Sequence, residues 1–161
     1  MSQIHVEASR VIEAPPQDVY AILADYHRHH PAILPKPYFA ALTIEEGGQG
    51  AGTVIRVRMK VFGVQSVYRM TVTEPEPGRV LQEADPDAGI LTTFTVDALA
   101  GGQESQLTIA TAVRASRGVS GFFERLLNPP VMRRIFKKQL AQIAAYAREH
   151  PELGSQSAAN R

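Results

Sequence analysis

Apolar and polar residues alternate along most of this chain, and on either side of that stretch the apolar period lengthens to a helical one. Residues 3–13 are rich in Ile and Val and predict a strand that ends at Ala14-Pro15-Pro16. Proline is tolerated at the first helical positions, where no N–H bond is lost. Asp18 then lies in the first turn, where a carboxylate is favoured. Val19, Ile22, Leu23 and Tyr26 follow at i, i+3, i+4 and i+7, the spacing of one apolar helical face. A second helical turn is expected over Tyr26–His29, because Pro31 disfavours helical geometry at His30. The chain should re-emerge as a strand over Tyr38–Glu45 and turn at the glycine-rich run 47–52.

The clearest alternation comes next. Ile55, Val57, Met59 and Val61 interleave with Arg56, Arg58 and Lys60, so a period of two puts the apolar residues on one face and the cations on the other. A sheet covered on one face and wet on the other favours antiparallel pairing. Phe62-Gly63 makes a tight connection to a strand over 64–74, in which Val64, Ser66, Tyr68, Met70 and Val72 share a face. Regularly spaced turn signals then separate strands over 79–84, 90–98 and 105–114, the mark of a meander. Ile90, Thr92, Phe94 and Val96 share one face, as do Leu107, Ile109, Thr111 and Val113. The facing of 79–84 stays open, because Val80 and Leu81 point opposite ways, and with it that of Glu83 and Asp85.

From Ser120 to about Glu149 the period is helical again. Met132, Ile135, Phe136, Gln139, Leu140, Ile143, Tyr146 and Ala147 form a broad apolar stripe, with Arg133, Arg134, Lys137 and Lys138 opposite. Pro129-Pro130 must interrupt the segment, giving a short Phe122–Leu127 helix and a longer one beginning near Pro130. The expectation is an α+β fold in one domain over residues 1–150, a curved antiparallel sheet of about seven strands around a long C-terminal helix. Residues 151–161 are small and polar and are expected to form a disordered tail.

A length of 161 residues suits one domain that needs no staple, and the absence of cysteine removes disulfides, thiolate nucleophiles and Cys-based zinc sites. A net charge of +1 argues against a dedicated nucleic-acid partner. No apolar run approaches the ~20 residues of a bilayer span, and the first residues lack the pattern of a signal peptide. A cytoplasmic location is the expectation. Residues 120–149 carry six Lys or Arg against two Asp or Glu. With no aromatic residues among the cations, that basic face is read as solvated surface.

The order of elements resembles the START-like, or Bet v 1-like, helix-grip superfamily over residues 3–149. Ser9-Arg10-Val11-Ile12-Glu13-Ala14-Pro15-Pro16-Gln17-Asp18-Val19-Tyr20 is similar to the opening of its polyketide cyclase/dehydrase-like branch, and Gly52-Thr53-Val54 and Glu74-Pro75-Glu76-Pro77-Gly78-Arg79 fit the same branch. Asp25-Tyr26 through Ile33-Leu34-Pro35 also resembles the coenzyme Q-binding and ribosome-associated toxin branch. Lys36-Pro37 stands where that branch has an aromatic-cysteine pair. The resemblance implies a cavity between sheet and helix for a hydrophobic small molecule, with no single activity attached.

On that basis the ligand-binding candidates are Tyr38, Met59, Ser66, Tyr68, Met70, Thr92, Phe94, Thr111, Met132, Phe136 and Gln139. Their polar members are neutral, which suits a largely uncharged, apolar partner oriented by a few hydroxyls. No cofactor is called for. His27, His29 and His30 fall too close together before a proline to project as one metal-ligand set, so no metal is expected. The glycine run 47–52 leads into a strand and lacks the helix N-terminus that phosphate binding uses. An enzyme would draw on Tyr38, Tyr68, Glu83, Asp85 or a histidine for proton transfer, and would need such a group deep in the pocket. A third possibility is an interaction module that meets a protein or ribosome through the basic helix or the outer sheet face.

Overall fold

The alternating stretch forms one antiparallel sheet, seen in a computed structural model that describes residues 3–114, 129–151 and 153. Its seven strands are β1 (Gln3–Ile12), β2 (Phe39–Glu46), β3 (Val54–Val61), β4 (Val64–Glu76), β5 (Val80–Asp85), β6 (Ile90–Ala98) and β7 (Ser105–Arg114). They lie in the order β1-β7-β6-β5-β4-β3-β2, so β2 to β7 form a meander and β1 closes onto its last strand. Ile55, Val57 and Val61 are buried while Arg56, Arg58 and Lys60 are exposed, which fixes the covered face as the period of two requires.

Helix α1 (Pro16–Ala24) starts where the prolines allow it and buries Val19, Ile22 and Leu23 completely. It stops because Asp25 turns extended and its Oδ1 accepts the backbone N–H groups of His27 and Arg28, each at 3.0 Å. That side-chain turn offers the backbone partners that a further helical turn would have supplied. The second helix expected over Tyr26–His29 is therefore a turn, and a 3₁₀ helix follows at His30–Ile33. Pro31 sits in its first turn, where a missing N–H costs nothing, so the proline opens this element rather than ending one.

The glycine run docks on the end of α1. Gly48 O accepts from Tyr26 N, and Gly50 N donates to Ala24 O, both at 2.9 Å. Gly48 has φ +133, and a Cβ there would lie 2.0 Å from His27 Nε2, so this close approach requires glycine. Glu74 ties the loop down from the sheet: its Oε2 accepts from Ala51 N at 2.9 Å and its Oε1 from the Tyr20 hydroxyl at 2.6 Å.

The C-terminal helix α2 (Pro129–Glu149) lies across the concave face, chiefly against β1. Met132, Ile135, Phe136, Gln139, Leu140 and Ile143 are buried, while Arg133, Arg134, Lys137 and Lys138 are exposed. The shorter helix expected over Phe122–Leu127 lies outside the described residues. Leu153, within the stretch expected to be tail, is buried in the same core. No helix among the described residues is long and apolar enough to cross a membrane.

Candidate functional site

Between the concave sheet face and α2 the side chains leave a cavity. The centre of a water molecule can move within about 90 Å³ of it. A sphere of that size swollen by one water radius encloses roughly 300 Å³, the lower end of the range for ligand pockets. The walls are mostly apolar. Ile55, Val57 and Met59 come from β3, Tyr68 and Met70 from β4, and Ile90, Thr92 and Phe94 from β6. Met132, Ile135, Phe136 and Gln139 close it from α2, and Thr111 from β7. Cross-strand register sets this wall, with Ile55 opposite Met70 and Val57 opposite Tyr68.

Of the candidates named from sequence, all but Tyr38 and Ser66 line the cavity. Tyr38 precedes β2, whose Phe39, paired with Met59 ahead of a register shift, and Leu42 line the wall instead. The Tyr38 ring instead lies under Lys138, whose Nζ is 5.1 Å from its centroid. Ser66 is on the inward side of β4, one residue pair beyond Tyr68 towards the Phe62-Gly63 turn. Its side chain is close enough to the Tyr68 hydroxyl to oppose the rise in that phenol's pKa.

The inward polar groups are not all neutral, contrary to the reading from sequence. β5 turns Leu81, Glu83 and Asp85 inward, with Glu83 opposite Thr92. Glu83 lines the cavity, and so does His30 from the 3₁₀ segment, only 2% exposed. His30 Nδ1 is 2.8 Å from Leu23 O, so that nitrogen carries the proton and donates it. Nε2 is thereby aimed at Glu83 Oε1, 3.4 Å away. The same Oε1 accepts the Tyr26 hydroxyl at 2.6 Å. The Tyr26 and His30 rings stack with centroids 4.3 Å apart, and Phe94 meets His30 edge-on.

Tyr26, Glu83 and His30 thus form one buried constellation in which Oε1 is engaged from behind. Glu83 Oε2 has no partner among the described residues. Burial first, then the Glu83 carboxylate, holds the Tyr26 phenol well above its usual pKa, so the phenol stays a donor. Burial also raises the pKa of Tyr68, opposed by the Ser66 hydroxyl and assisted by the Asp85 charge.

Gln139 belongs to α2. It is 3% exposed, lines the cavity, and makes no hydrogen bond to any described residue. Thr92 and Thr111, by contrast, share a hydrogen bond, one hydroxyl donating to the other at 2.8 Å. Asp85 is occupied with backbone: its Oδ2 accepts from Arg69 N at 3.1 Å and its Oδ1 from Ala88 N at 3.0 Å. It does not line the cavity.

The three histidines separate completely. His30 is in the wall, and His27 is exposed beside Gly48. His29 Nδ1 meets the Tyr146 hydroxyl of α2 at 2.6 Å. Among the described residues no group of three or more His, Cys, Asp or Glu could hold a metal ion.

A curved sheet gripping a helix around an apolar cavity defines a START-like, Bet v 1-like helix-grip protein. The family described as polyketide cyclase / dehydrase and lipid transport matches residues 3–148, and the chain belongs to it. Among solved structures, the KanY protein is similar over 92% of this chain and 99% of its own, with 28% identity and a TM-score of 0.78. The ZhuI aromatase/cyclase from Streptomyces sp. R1128 is similar over 91% and 94%, with 20% identity and a TM-score of 0.70. Norcoclaurine synthase from Thalictrum flavum is similar over 92% and 96%, with 17% identity and a TM-score of 0.65. The last two likenesses carry the fold alone. No curated protein matches the chain closely enough to count as a relative.

Proposed function

We propose that this protein binds one small, mostly apolar molecule, such as an isoprenoid, another lipid or an aromatic polyketide-like compound, in the cavity between sheet and α2. The observation that carries this reading is the cavity itself. Interiors normally pack as densely as organic crystals, yet here apolar walls from four strands and a helix line open space into which polar groups are also turned. Titration with the neutral fluorophore N-phenyl-1-naphthylamine tests it. Saturable blue-shifted emission at one probe per chain is expected, and organic extraction of purified protein should release a bound compound detectable by mass spectrometry. Absence of both results would overturn the reading.

A second reading, an acid–base enzyme of the cyclase/dehydratase type, is favoured by the Tyr26–Glu83–His30 constellation. A carboxylate held in place by the buried Tyr26 hydroxyl, beside His30, and opening on an apolar cavity is suited to accept or return a proton. In an enzyme of this type Glu83→Gln would abolish turnover while binding survived. Loss of binding and turnover together would return Glu83 to a purely recognitional role.

A further inference from the structure

The cavity is not uniformly apolar: Glu83 from β5 and Gln139 from α2 both line it. Glu83 Oε2 is an acceptor left over after Oε1 has accepted the Tyr26 hydroxyl. Gln139 offers an amide with two N–H donors and a carbonyl, all without partners among the described residues and nine-tenths or more buried. Buried polar groups are normally satisfied, and leaving one unmade is costly. This pair therefore has the character of a recognition site. Among the other wall groups, Thr92 and Thr111 already share one hydroxyl–hydroxyl bond.

We propose that Glu83 and Gln139 select the polar head of the ligand, and that this head is a neutral hydroxyl, phenolic or alcoholic, rather than a carboxylic acid. The inference rests on the container reading above and narrows it to one head chemistry. A phenol O–H donates to Glu83 Oε2, and its oxygen accepts from the Gln139 amide, so each protein group meets its complement. A carboxylate head would set like charge against the Glu83 carboxylate in a low-dielectric site. An ether lacks the donor and leaves Glu83 Oε2 unpaired. Sites built to hydrogen-bond a hydroxyl discriminate strongly against analogues that lack it.

The test uses four probes of one ring system: naphthalene, 2-methoxynaphthalene, 2-naphthol and 2-naphthoate. Each competes with N-phenyl-1-naphthylamine on the full chain at neutral pH. A hydrogen bond to a charged group predicts that 2-naphthol binds roughly tenfold or more tightly than 2-methoxynaphthalene. 2-Naphthoate should bind more weakly than naphthalene. In Glu83→Gln, where the amide oxygen can still accept from Tyr26, the naphthol preference should shrink severalfold and 2-naphthoate should gain affinity. Gln139→Leu should weaken 2-naphthol and 2-methoxynaphthalene by similar factors and leave naphthalene unchanged. If naphthalene binds but 2-naphthol has no advantage, or if the advantage survives Glu83→Gln, the proposed head recognition is wrong while the container stands. If none of the four displaces the fluorophore, the container reading fails as well.

Discussion

The Tyr26 hydroxyl reaches across the fold to donate a 2.6 Å hydrogen bond to Glu83 Oε1. One partner follows the end of α1 and the other is mid-strand in β5, so the bond ties the helical segment to the sheet at the cavity wall. Tyr26→Phe keeps the ring stacked on His30 and removes only the donor. A buried bond to a charged acceptor predicts a loss of about 1.5–3 kcal/mol. Urea unfolding at neutral pH measures it, and a change below a few tenths would show that the bond contributes nothing net.

The same residue predicts an alkaline limit. Its phenol is held above the ordinary value of 10.0 by burial and by Glu83, so the folded state keeps a proton that the unfolded chain releases. Tyr68 and Tyr146 are raised from the same value, with burial the leading cause for each. The stabilisation is complete below pH 10.0 and is lost as pH climbs through the folded-state values. Melting temperature should fall above that pH, less steeply in Tyr26→Phe. An ultraviolet tyrosine titration of the parent should show part of the phenolate signal appearing only on unfolding.

At the other end of the scale, His29 is pushed below its ordinary 6.5 by burial, opposed by Asp25 and assisted by His150 and Arg28. Here the unfolded chain binds the proton more readily. The contribution is full above pH 6.5 and is lost as pH falls through the lower folded value. His29 joins the turn after α1 to Tyr146 on α2, so acid should weaken the grip of the helix. Urea midpoints between pH 5 and 7.5 should decline towards acid in the parent, and His29→Gln should flatten that slope.

Much of this arrangement was legible in the chain. Alternation at Ile55–Val61 assigned the covered face, and the stripe from Met132 to Gln139 assigned the gripping side of α2, because both depend on period alone. The acid–base wall was not legible, for two physical reasons. Val80 and Leu81 are both apolar and adjacent, so nothing local told which parity of β5 faces inward, and pairing of Leu81 with Phe94 and Glu83 with Thr92 decides it. His30 lies in a short irregular segment with no period to read. Its position follows from Tyr26 stacking and the Leu23 carbonyl, both tertiary contacts.

Val57 offers a test of whether the open space carries the function. It lies mid-wall, opposite Tyr68, and is 6% exposed. Val57→Phe would extend a ring into the cavity instead of into packed atoms, so the stability change should stay within about 1 kcal/mol. Binding of N-phenyl-1-naphthylamine should nevertheless fall at least tenfold. Unchanged binding would place the probe elsewhere on the protein.

The turn joining β3 to β4 carries a residue that its backbone does not favour. Phe62 has φ 51 and Gly63 φ 77, the paired left-handed geometry of a tight two-residue hairpin. Gly63 accepts that geometry freely, whereas a bulky side chain at Phe62 crowds its own carbonyl. Nothing in the fold offsets the strain, because the ring is 78% exposed at the tip. Asparagine tolerates the left-handed region and suits the first position of such a turn. Phe62→Asn should therefore raise stability by up to about 1 kcal/mol. The register of Val61 with Val64 should be unchanged, as judged by amide chemical shifts along both strands. Phe62→Val, β-branched at the same positive φ, should lower stability instead. Equal midpoints for the two variants in urea would show that the ring, not the backbone, sets the energetics of this turn.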